Sequence, residues 1–161
     1  MTGDPEPRPF AGDAAIRRVG EEMIARTLPR AEWTHEAHLA TCAWLILERE
    51  DIVPERDLPA LIRRYNESVG GVNSDSEGYH ETITQLYIRG VRAALARSEG
   101  RGLAERVNAL LLAPEGRRDW PLLFYSRELL FSKAARLGWV EPDLARLQHG
   151  PCPDAAGAIH V

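Results

Sequence analysis

Between residues 37 and 47 almost every side chain is apolar or small: Ala37, Leu39, Ala40, Cys42, Ala43, Trp44, Leu45, Ile46 and Leu47. A helix that is apolar around its whole circumference has no face to give to water, so it belongs in the middle of a helical bundle. The residues leading into it, Trp33-Thr34-His35-Glu36-Ala37-His38, bring two imidazoles to its first turns. His35 and His38 are three apart and share a side of the helix, a side continued by Cys42 and Leu45. Two histidines are therefore expected to point inward near one end of the central helix.

The flanking sequence supplies partners for that helix. Asp13 can cap a helix over residues 14–28, with Ile16, Val19, Met23 and Thr27 on one stripe and Pro29 to stop it. The central helix starts either at Pro29, a favoured first helical residue, or at Thr34 as N-cap. A polar stretch over residues 48–56 closes it. Asp57 can cap a third helix with Pro59 in its first turn. Leu58, Leu61, Ile62, Tyr65 and Val69 keep helical period there, and Gly70-Gly71 ends it. After a turn-rich loop over residues 72–78, a long helix over residues 79–97 carries His80, Ile83, Tyr87, Val91 and Ala94 on its inner face. Gly90 lets a neighbour pack close. Leu103–Leu112 reads as a shorter helix and residues 114–121 as a loop. Ser126 and Ser132 are placed to cap two short helices. No strand-like alternation and no repeat is present. The expected fold is all-α, a single-domain bundle of about four main helices plus short C-terminal helices over residues 13–144. Residues 1–12 read as a disordered arm and 145–161 as an irregular tail.

At 161 residues with a net charge of −4, the chain is one domain without the basic surface that nucleic acid or an anionic membrane requires. Lys133 is the one lysine among 20 basic side chains. That arginine bias, with many Ala and Gly, fits a high-GC bacterial genome better than an anion site. Cys42 and Cys152 suggest no disulfide framework. The N-terminal residues lack an apolar signal core, and no apolar run is long enough to span a bilayer. A cytoplasmic protein is expected.

Three of the five histidines occupy comparable places. His35 and His38 begin the second helix and His80 the fourth. In an up-down bundle those two helices run parallel, so their N-terminal ends meet. Burial and the positive end of the helix dipole both favour neutral imidazole, the metal-binding form. Three histidine ligands with an open position is the pattern of a catalytic zinc centre, and iron or copper accepts the same set. The bland alternative is that each ring serves a backbone carbonyl. A bridged di-iron centre offers a further variant, with Glu32-x-x-His35, Glu77-x-x-His80, Glu22 and Glu67. However, Glu22 and Glu67 sit off the inner faces.

Around such a centre, Glu81 and Glu36 are the candidates to move protons, or else plain acidic residues at helix N-termini. Asn73 and Asp75 can reach the same end but read first as turn residues. Tyr79, Tyr87 and Tyr125 can wall a substrate pocket, and Arg127 can bind an anionic group. Cys42 reads as a small buried hydrophobe. No phosphate-binding loop, dinucleotide fingerprint, His-Glu-x-x-His or Gly-x-Ser-x-Gly is present.

Three stretches, Trp33 to Leu39, Gly78 to Thr84 and Tyr125 to Leu144, together resemble a family of small, uncharacterised bacterial helical proteins. The likeness spans residues 28–144. It implies no activity, metal or substrate, but it hints that Tyr125, Ser126 and Arg127 share the pocket of the histidines. The leading expectation is a metal-dependent enzyme acting on a small molecule, a hydrolase or an oxidoreductase, with one divalent metal on His35, His38 and His80. The alternative is a metal-free helical module that binds a ligand or a partner protein. A homodimer is compatible with either.

Overall fold

A computed structural model describes residues 6–147, all in helices, turns or irregular segments with no strand among them. Cys152, His149, His160 and most of the tail lie outside the described residues. Five main helices follow in order: α1 (Asp13–Ala25), α2 (His35–Glu48), α3 (Pro54–Ser68), α4 (Glu81–Arg97) and α5 (Leu103–Leu112). Two short ones, α6 (Arg127–Leu130) and α7 (Lys133–Leu137), come last. The all-α bundle is as the sequence implies, with Leu103–Leu112 as a full fifth member. None of the described helices is long and apolar enough to cross a membrane.

α2 is the centre. It packs against α1, α3, α4 and α5, and from Ala37 to Leu45 every residue except His38 is buried. Each fully buried Leu is worth roughly 1.5–3 kcal/mol. Surface ion pairs such as Arg17–Glu48 are weak by comparison, so the core fixes α1 on α2. Gly20 makes the close approach possible: a Cβ there would lie 2.3 Å from Trp44 Cε3. Gly90 does the same on α4, where a Cβ would meet Trp120 Cη2 at 2.7 Å. A second, smaller core of Leu86, Trp120, Tyr125 and Leu130 joins α4 to the C-terminal segment.

Several helix ends differ from the sequence pattern, each for a local reason. α1 stops at Ala25 because Arg26 turns left-handed (φ 63°). The amide of Thr27 then bonds back to Glu22 O at 2.8 Å. Asp13 does not cap its own helix; its Oδ1 accepts from Ala104 N at 2.8 Å and so caps α5, whose own N-cap, Gly102, has no side chain to offer. α3 starts at Pro54, and Asp57 accepts from Val53 N at 2.9 Å from within the helix. Pro59 lies inside α3 and has no N–H to give Glu55 O. Gln85 of α4 supplies that bond, Nε2 to Glu55 O at 2.9 Å. The Glu55 carboxylate, which sequence reading left in a polar linker, is buried and takes a bidentate pair from Arg92 at 2.6 and 2.8 Å. Of the N-terminal arm, residues 6–12 form no helix, yet Phe10 is tied to Asn108 through its N–H (2.9 Å) and its carbonyl (3.1 Å).

Candidate functional site

Thr34 is the N-cap of α2, its hydroxyl accepting from Ala37 N at 3.1 Å. This fixes the first turn and with it the directions of His35 and His38. His35 donates from Nε2 to Gly116 O at 2.8 Å, and its ring meets Tyr87 edge-on at 5.6 Å. His38 stacks on Trp33, with ring centroids 3.9 Å apart and planes 28° from parallel. Trp33 in turn tilts against Tyr65 at 5.4 Å, whose hydroxyl donates to Leu28 O.

His35 and His38 open onto a pocket of about 120 Å³ between α2, α3 and α4. Its walls are Trp33, Leu39, Leu58, Ile62, Ile83, Tyr87 and Ile88, with Cys42 and Thr84 as further polar-capable groups. Among the described residues, no Asp, Glu, Lys or Arg side chain lines it. His38 lines the pocket and keeps accessible surface. Desolvation by the protein atoms crowded around the ring, with the nearby His35 adding to the effect, pushes its pKa down to about 3. The ring is therefore neutral, and neither of its nitrogens is hydrogen-bonded to another described residue. Burial likewise pushes the Cys42 thiol up to about 12, so it is no nucleophile. Thr84 gives its hydroxyl hydrogen to His80 O at 2.8 Å. Tyr87 holds its ring in the wall by donating to Arg117 O at 2.6 Å.

His80 does not join the other two histidines. It is the N-cap of α4, not a residue of its inner face. Nδ1 accepts from Ile83 N at 3.1 Å and Nε2 donates to Leu130 O at 2.7 Å, so both ring nitrogens are used by backbone. Burial lowers its pKa against the smaller, opposite effect of the Leu130 bond. The loop before it is built for this placement. Asn73 Oδ1 accepts from Tyr79 N at 3.0 Å. Gly78 is left-handed, and a Cβ there would lie 2.1 Å from Val72 O. Among the described residues no group of three His, Cys, Asp or Glu side chains could hold a metal ion. The expected metal-dependent enzyme on His35, His38 and His80, and with it the di-iron variant, is therefore corrected: a capping histidine was mistaken for a ligand.

The other candidates separate as well. Glu81 accepts from the buried Tyr79 hydroxyl at 2.6 Å; burial and this carboxylate hold the phenol well above its ordinary pKa. Arg63 stacks on the Tyr79 ring at 4.5 Å. Glu36 has burial raising its pKa, but the amides of Glu36 and Arg8, then Arg118 and His35, outweigh it and keep the carboxylate ionised. Tyr125 belongs to the second core and donates to Val140 O at 2.7 Å. Ser126 caps α6 and donates to Asp143 at 2.7 Å. Arg127 is exposed. Glu81, Glu36, Tyr79, Tyr125, Ser126 and Arg127 do not line the pocket, so the shared site hinted at by the C-terminal stretch is not there. Asn73 is the turn residue its type suggests, and Asp75 pairs with Lys133 at 3.2 Å.

Of the expected site residues, the pocket brings together His35, His38 and Tyr87, with Cys42 beside them. Sequence reading missed Trp33, Thr84 and the aliphatic walls as site residues. The helical period that marked Leu58, Ile62 and Ile83 as inward-facing was the available signal, but it does not distinguish a pocket wall from a core.

The fold and site define an all-α protein with a small, uncharged pocket at the start of its central helix. Comparison with protein-family models, curated proteins and solved structures finds no match to this chain.

Proposed function

We propose that this chain is a metal-free helical module that binds a small, uncharged molecule in the pocket between α2, α3 and α4. The carrying observation is the pocket's composition: among the described residues, aromatic and aliphatic walls with a neutral imidazole and no ionic side chain. Such a lining rejects ions, because a bare charge loses its water and gains no counter-charge. Its size fits a ring-sized guest: apolar cavities of roughly 150 Å³ take benzene. The pocket walls come from three well-packed helices, as expected for a preformed site.

Thermal shift with a panel of ring-sized compounds tests this. Neutral members are expected to raise Tm in a concentration-dependent way, carboxylates and ammonium compounds to leave it unchanged. Ile83→Phe, which fills the space, is expected to abolish the response. Equal responses from neutral and ionic compounds, or an undiminished response in I83F, would contradict the proposal.

A further inference from the structure

Resting on that reading, we infer that the ligand carries a hydroxyl group, and that His38 is the residue that recognises it by a hydrogen bond. Three observations lead there. Among the described polar groups on the pocket wall, the His38 ring and the buried Trp33 Nε1–H have no partner, and of these two the imidazole alone can accept as well as donate; His35 gives Nε2–H to Gly116 O, Thr84 gives its proton to His80 O and Tyr87 gives its proton to Arg117 O. The ring stacks on Trp33 at 3.9 Å and is carried on the capped first turn of α2, which orients its nitrogens. A neutral imidazole offers one donor and one acceptor, and a hydroxyl matches either. A carboxylate or ammonium would find no opposite charge among the lining residues. The class is therefore a neutral ring, or a branched chain of about six to eight non-hydrogen atoms, with one hydroxyl.

The probes are phenol, toluene and benzoate, titrated calorimetrically into wild type and His38→Phe. The ratio of toluene to phenol Kd isolates the hydroxyl, because the general preference of the walls for apolar surface cancels between the two proteins. In wild type this ratio is expected to favour phenol by about tenfold more than in H38F, the size of one net hydrogen bond. Benzoate is expected to bind at least tenfold more weakly than phenol. A second readout needs only wild type: the ¹⁵N resonances of His38 should move on adding phenol and stay in place with toluene. Equal Kd ratios in the two proteins, or unmoved His38 nitrogens with phenol bound, would overturn the hydroxyl assignment and leave the pocket reading standing. Benzoate binding as tightly as phenol would overturn the exclusion of charge. No binding by phenol or toluene would remove both readings together.

Discussion

His80 illustrates how one side chain settles a question about a whole site. A histidine N-cap whose Nδ1 takes the Ile83 amide and whose Nε2 serves Leu130 O has no lone pair left for a metal. His80→Ala would leave both backbone groups unmet, and about 2 kcal/mol of stability is expected to be lost in urea unfolding. His80→Asn should recover part of that, since its carboxamide oxygen can cap Ile83 N. Equal loss in the two variants would show that capping is not the role. The histidines also set a pH dependence. Desolvation by the folded protein depresses the pKa of His38 and His80 below the ordinary 6.5, so the unfolded chain binds more protons than the folded one below that value. Their contribution is complete above 6.5 and is lost as pH falls from there toward the folded values. The urea midpoint is expected to drop between about pH 7.5 and pH 5, before most carboxylates titrate, and to drop less in His38→Phe. A flat profile in wild type would contradict neutral, crowded imidazoles.

Among the elements, α2 shows what patterning specifies and what it leaves open. Its all-round apolar run dictates a central position, and the Thr34, Ser126 and Ser132 caps are where their residue types place them. What patterning could not give is exchange between helices. Asp13 caps α5 instead of α1, and Gln85 repairs the carbonyl that Pro59 leaves unpaired; neither partner lies near in sequence. The same gap hid the site. Inward-facing Leu58, Ile62 and Ile83 were legible, but whether their faces close into a core or leave a pocket depends on helix crossings that periodicity does not encode. That His35 and His38 share one side of α2 was legible too, and both line the pocket, while His80 fell one residue before its helix and so faced elsewhere. The α1–α2 contact gives a direct check. Gly20→Ala improves helix propensity by about 1 kcal/mol but sets a methyl 2.3 Å from Trp44 Cε3. Overpacking should win, with a net loss of about 1–2 kcal/mol by thermal denaturation. A stabilised G20A would mean the two helices pack less tightly than described.

At the scale of the whole molecule, the five-helix bundle has a region at the head of α2 where close packing gives way. Phe10, Asn108 and Asp13 tie the N-terminal end to α5, and the second core clamps the C-terminal segment onto α4. The space between α2, α3 and α4 is left with uncharged walls. The proposed small neutral guest would sit in this space. The most direct measurement is methyl-resolved NMR of isoleucine and leucine side chains during a phenol titration. Saturable shifts confined to Leu39, Leu58, Ile62, Ile83 and Ile88 are the predicted result, with Ile16 and Leu110 of the main core unmoved. Shifts absent altogether, or spread evenly over core and surface methyls, would contradict it.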